Sequence, residues 1–232
     1  MTSTRLPGKV LMRVGGRTLL EHHLSRLAWA GVPVIVATTI NGSDDPIVEA
    51  ATALRVEVFR GSEHDVLSRY ARAARMFELS TVVRVTADCP LIDGRLVAQG
   101  IERFVDLADP WGYVSNVVER TYPRGMDFEV FGVEALLDAD ANATMPGHRE
   151  HVTPYLNQNI SGRMNLVSFL AKDPAGGLRV TVDTQDDLTV VTKLIECFDA
   201  HMVNATGIVN ILRTHPELAA VNAHVEQKKV GD

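Results

Sequence analysis

The chain has little cysteine, with Cys89 and Cys197 the only two thiols in 232 residues. Two thiols cannot build a disulfide scaffold or a thiolate zinc site. Reduced thiols in a cytoplasmic protein are the simplest reading. No apolar run approaches the ~18 residues of a membrane-spanning helix, so no membrane is expected among the partners. The opening residues, Met1 to Lys9, are polar and basic and lead into no long apolar stretch, so no secretory signal is expected there. A basic excess is missing too, with 23 Lys and Arg against 29 Asp and Glu and a net charge of −6. That balance argues against a general nucleic-acid binder. It leaves room for a small anionic ligand held by a few local cations. No internal repeat, low-complexity linker or charge block divides the chain.

What is present is enough for a sizeable core, with 46% hydrophobic and 22% charged residues. Length and composition predict a single domain over 1–232. Runs of β character lie at 32–39, 56–60, 81–88, 112–118, 126–131, 164–170 and 178–183. Helical spacing appears between many of them. Leu20, Leu24 and Leu27 form one such stripe, Leu188, Val191, Leu194 and Phe198 another, with further patterns at 46–54, 65–77, 96–107 and 208–213. Strands alternating with helices imply βαβ units and a mostly parallel sheet. The near-continuous apolar run at 32–37 fits a strand covered on both faces. Between 113 and 170 the β runs crowd together, which reads as a β-rich insertion able to cover a site. Ligands in such sheets bind beyond the carboxyl ends of the strands.

The polar segments at those ends carry the chemistry. Ser3-Thr4-Arg5-Leu6-Pro7-Gly8-Lys9 joins hydroxyls, a glycine and two cations, as a polyphosphate-wrapping loop would. It lacks P-loop spacing, and an ordinary basic terminus fits it as well. A strand over 81–88 ends in Asp88, and Pro90 stops it from continuing. A carboxylate there suits a hard cation, and a turn cap suits it equally, whereas Asp93 before a helical pattern reads as a cap. The run at 178–183 ends in Asp183 in the same way, with Asp186 and Asp187 in the first turn of a helix. Arg60-Gly61-Ser62 precedes a helix that Asp65 would cap. The stretch 113–155 holds Asn116, Tyr122, Asp127, Glu129, Arg149 and His151, whose polar edges suit a sugar or a carboxylate-bearing ligand. His148 and His151 lack the further ligands of a zinc site.

Taken in order, these segments resemble the cytidylyltransferase family that includes the spore-coat polysaccharide protein SpsF. More distantly they are similar to CMP-sialic-acid and CMP-Kdo synthetases. The carrying residues are Ser3 to Leu11, Ala37-Thr38-Thr39, Asp44 to Ile47, Phe59 to Ser62, Arg84 to Asp93, Tyr113 to Asn116, Glu119 to Pro123, Gly125 with Asp127 and Glu129, and Arg149 to Thr153. The resemblance implies a three-layer α/β/α, Rossmann-like nucleotidyltransferase with an inserted β-rich excursion. It implies CTP as co-substrate, Mg²⁺ as cofactor, a sugar acceptor and a homodimer. Carried over to this chain, Arg5 and Lys9 would hold the triphosphate, and Asp88 and Asp183 the metal. Ser3, Thr38, Arg60, Gly61, Ser62 and Thr86 would lie near the nucleotide. Asn116, Tyr122, Asp127, Glu129, Arg149 and His151 would line the acceptor side. Family members carry an apolar strand ahead of the Ser-Thr-Arg-Leu-Pro-Gly-Lys loop, so a first strand is expected to be missing from these 232 residues.

The reaction so implied is transfer of CMP from CTP to an acidic sugar, with release of pyrophosphate, for surface or spore-coat polysaccharide. Two alternatives stay open on sequence alone. One is a non-catalytic nucleotide-binding relative that serves a glycosylation partner. The other is a sugar-phosphate nucleotidyltransferase that uses a different nucleoside triphosphate.

Overall fold

Apolar periodicity and helix caps divide residues 5–227, the part of the chain that the computed structural model describes, into eight strands and ten α-helices. The strands are β1 (Arg13–Val14), β2 (Arg17–Thr18), β3 (Ile35–Thr39), β4 (Glu57–Gly61), β5 (Thr81–Arg84), β6 (Gly112–Ser115), β7 (Glu129–Gly132) and β8 (Asn165–Ser168). The helices are α1 (Leu19–Leu27), α2 (Asp45–Ala53), α3 (Val66–Met76), α4 (Gly94–Leu107), α5 (Val133–Asn142), α6 (Pro146–His151), α7 (Pro154–Asn157), α8 (Gln185–Phe198), α9 (Ala205–Thr214) and α10 (Pro216–Val221). Thr18, Asp65, Asp93, Thr184 and Asn204 each accept a first-turn amide and so start a helix.

β3 and β4 pair in parallel, while a second sheet runs in the order β5-β7-β6-β8. Only β7 is antiparallel in that sheet, lying between β5 and β6. The stretch 113–170, read above as an insertion, brings β7 and β8 and most of β6 into this sheet, together with α5, α6 and α7. Period-2 alternation buries both faces. Tyr113 and Phe131 pack with Leu67 of α3 and Leu136 of α5, while Val114 and Val130 pack with Val97 and Phe104 of α4. Helices therefore cover the sheet on both sides, the three-layer arrangement expected of an α/β chain.

β3 and β5 are not hydrogen-bonded to each other. An apolar groove of about 280 Å³ separates them, lined by Ile35, Ala37 and Val83 with Ala73 of α3 and Val97 of α4.

The β run expected at 178–183 forms no strand. Its backbone bonds to loops instead: Val180 N donates to Arg124 O at 2.7 Å and Val182 N to Asp88 O at 2.8 Å. Only an isolated parallel bridge, Arg124 with Arg179, results. The alternation still sorts the side chains. Val180 and Val182 are fully buried with Val190, Val191 and Leu194, leaving Thr181 and Asp183 on the wall of a polar pocket.

Candidate active site

The polar pocket, about 380 Å³, opens beyond the carboxyl end of β5. After Arg84 the chain turns out of the sheet through Val85, Thr86 and Ala87 to Asp88. The Asp88 carbonyl accepts Val182 N and the Thr181 hydroxyl (3.1 Å), which joins the two carboxylate-bearing loops. Asp183 stands just before α8, where Thr184 and Asp187 form a capping box. Asp187 is fully buried and takes Arg179 in two bonds of 2.7 and 3.0 Å, together with the Asp183 amide at 2.9 Å. Asp183 is thereby fixed in place from behind.

One ammonium meets both pocket carboxylates. Lys9 Nζ lies 2.9 Å from Asp88 and 2.8 Å from Asp183. Arg5 reaches Asp183 at 3.1 Å, and the Thr86 hydroxyl donates to Asp88 at 2.6 Å. Burial acts to raise the Asp88 carboxyl, yet Lys9 and Thr86 hold it below the usual carboxylate range. Burial likewise opposes the charge on Lys9, and the two carboxylates override it and raise the amine.

Further into the pocket, Glu129 is buried and accepts from both Arg84 and the Tyr113 hydroxyl. Asp127 takes Arg120 in a bidentate pair of 2.7 and 2.9 Å. His151, at the end of α6, lines the same space. Cys89 is buried beside Asp88, and its thiol is pushed well up by that burial, so it packs and does not act as a nucleophile.

Of the residues expected from sequence, the structure brings together Arg5, Lys9, Thr86, Asp88, Asp127, Glu129, His151 and Asp183. Ser3 lies outside the described residues. Thr38, Arg60, Gly61 and Ser62 stand at the ends of β3 and β4, away from the walls of this pocket. The Thr38 hydroxyl donates to Asp44 at 2.7 Å, Arg60 is bound to Asp45 and to the carbonyls of Thr39 and Asn41, and Ser62 accepts the Asp65 amide.

Three residues expected on the acceptor side do not line this pocket and have partners within the protein. Asn116 is fully buried, and its amide joins Met126 O and Phe128 N, so it shapes a loop. Tyr122 is half-buried, packs against the core and stacks on Phe169 at 6.1 Å. Arg149 ties α6 to α3, pairing with the Asp65 cap at 2.6 Å and with Asp140 at 2.8 Å. Sequence reading assigned no role to Arg84 or Arg179, and took Arg120 and Arg124 only as part of the polar stretch 113–155 suited to a sugar or carboxylate-bearing ligand. The signal was present as guanidinium groups interleaved with Asp127, Glu129, Asp183 and Asp187 in the same segments.

Asp88 and Asp183 offer hard oxygen donors gathered around one cation, Lys9. That donor set fits a divalent ion that keeps waters and phosphates in its shell. Among the described residues no three His, Cys, Asp or Glu converge, so the other ligands of such an ion would come from solvent and substrate.

A cytidylyltransferase family model matches residues 1–227. The uncharacterized protein MJ1063 of Methanocaldococcus jannaschii is 36% identical over 233 residues, covering 97% of this chain and 92% of its own. The spore coat polysaccharide biosynthesis protein SpsF of Bacillus subtilis is 28% identical, over 94% of this chain and 93% of its own. A solved cytidylyltransferase from Leptospira borgpetersenii superposes with a TM-score of 0.88 at 29% identity, covering 99% of this chain and 95% of that one. With two carboxylates and an ammonium gathered beyond the carboxyl end of β5, and a family match along almost its whole length, the chain belongs to the cytidylyltransferase family and is a nucleotidyltransferase.

Proposed function

We propose that the chain transfers CMP from CTP to a hydroxyl of an acidic sugar and releases pyrophosphate. The observation that carries this reading is Lys9 Nζ held between Asp88 and Asp183, with Arg5 beside it. The name of the Bacillus subtilis relative supports a role in surface or spore-coat polysaccharide. The cysteine usage supports a cytoplasmic setting, and the resemblance supports a homodimer.

The acceptor hydroxyl attacks the α-phosphorus in line, and the bond from that phosphorus to the bridging oxygen of pyrophosphate breaks. Negative charge gathers on the leaving group. Lys9 and Arg5 neutralise it, already oriented by Asp88 and Asp183. Mg²⁺ bound to Asp88 and Asp183 would supply further charge neutralisation. Thr86 orients Asp88, and Arg179 with Asp187 orients Asp183. Asp127, Glu129 and His151 face the acceptor. Thr38 and Arg60 to Ser62, at the ends of β3 and β4, take the nucleotide side. Positioning and electrostatics carry the chemistry, and no covalent enzyme intermediate is needed.

The test is pyrophosphate release from CTP, UTP, GTP and ATP, each with Mg²⁺ and a panel of neutral and acidic sugars. Release with CTP and an acidic sugar supports the reading. Preference for another nucleotide, or no release with any pair, overturns it.

A further inference from the structure

Among the described residues, the cations around the pocket are spent on carboxylates with one exception. Arg84 is bound to Glu129, Arg120 to Asp127, and Lys9 to both Asp88 and Asp183. Arg124 lines the same pocket, and among the described residues its guanidinium has no carboxylate or carbonyl partner. Burial and the nearby charges of Arg120 and Arg179 pull it below its ordinary range, with Asp127 opposing. An anion entering beside it would relieve that repulsion.

The backbone of Arg124 is held firmly. Arg124 N donates to Leu178 O at 3.0 Å, and its carbonyl accepts from Val180 N. Gly125 follows at φ +98°, where an added Cβ would meet Thr181 N at 2.4 Å. The loop can lie this close to 178–183 only because residue 125 is glycine. A half-buried guanidinium thus lines, on a fixed backbone, the same pocket as Asp88, Asp183, Asp127 and Glu129.

We propose that Arg124 reads the carboxylate of the acidic sugar acceptor and so sets the preference for acidic over neutral sugars. The proposal rests on the transfer reading for its choice of ligand. A planar carboxylate matches the forked donors of a guanidinium. Phosphate shares that chemistry, and the triphosphate of CTP is the rival source.

The experiment measures binding by calorimetry for the wild type, Arg124→Gln and Arg124→Lys. The probes are 3-deoxy-manno-octulosonate, its neutral methyl ester, and CTP with Mg²⁺. Wild type is expected to bind the acid at least ~10-fold more tightly than the ester, the worth of one charge-assisted hydrogen bond. Arg124→Gln should abolish that preference and leave CTP affinity within about twofold, and Arg124→Lys should recover part of it. Thermal unfolding of each variant checks that it is folded. Equal or absent binding of acid and ester by wild type overturns the proposal. So does a loss of CTP affinity in Arg124→Gln, which would make Arg124 a phosphate reader. A wild type that prefers the acid yet fails to bind CTP would sink the transfer reading and leave this one standing.

Discussion

Lys9 is charged against the pull of its own burial because Asp88 and Asp183 both hold it. Each partner sets a pH limit. The folded Asp88 carboxyl is lowered, so its stabilisation is present above the unfolded pKa and lost as pH falls through the folded one. The folded Lys9 amine is raised, so its stabilisation is present below the unfolded pKa and lost as pH rises through the folded one. Lys9→Met removes the charge that lowers Asp88, so acid unfolding followed by circular dichroism should begin at a higher pH than in wild type. An unchanged acid limb would contradict the assignment. Arg149 poses a separate question at the same scale. Its guanidinium is committed to Asp65 and Asp140. Arg149→Gln should therefore cost about 1–3 kcal/mol of stability, as for a hydrogen bond to a charged group, and leave acceptor KM within about twofold. A tenfold rise in KM with unchanged Tm would return Arg149 to the site. Asp88 and Asp183 were legible as carboxylates that follow apolar runs, a local pattern, although β5 ends at Arg84 and 178–183 forms no strand. The partners of Arg149, Asn116 and Tyr122, namely Asp65, Met126 and Phe169, were not legible because they are fixed only by tertiary packing.

At the scale of elements, the segment 178–183 shows how alternation can be right about burial and wrong about pairing. Val180 and Val182 enter the core while Thr181 and Asp183 face the pocket. The backbone partners lie on the loops around Arg124 and Asp88, which no local pattern reveals. The segment is locked to α8 by the buried Arg179–Asp187 pair, whose side chains are 5% and 0% exposed. Asp187→Asn strips the charge from one partner and leaves Arg179 buried opposite a neutral amide. Unfolding in denaturant should show a loss on the order of 3–5 kcal/mol, with activity falling as Asp183 loses its support. A loss below about 1 kcal/mol would mean that Asp183 is held by other contacts. Helix starts at Asp65 and Asp93 were legible, since those residues cap by local chemistry, whereas the cap of α8 is Thr184 and not Asp183.

On the scale of the whole molecule, α-helices cover a mostly parallel sheet whose two parts face each other across an apolar groove. Among the described residues β3 pairs only with β4, and β5 only with β7, so each presents alternate backbone groups to that groove. Hydrogen exchange should find the groove-facing amides of β3 and β5 less protected than those of β7, which is paired on both sides. Uniform protection across the three strands would contradict this arrangement. Strand–helix alternation made the fold class legible, while the division of the sheet into two parts depends on pairings that sequence does not state. The central claim is that the Asp88–Lys9–Asp183 cluster performs nucleotidyl transfer. Its most direct test is steady-state pyrophosphate release from CTP with Mg²⁺ and an acidic sugar, comparing wild type with a folded Asp88→Asn variant. The cluster predicts a fall in kcat of about 10²–10³, typical of losing one electrostatic stabiliser of a transition state. Turnover within a factor of about two of wild type would contradict it.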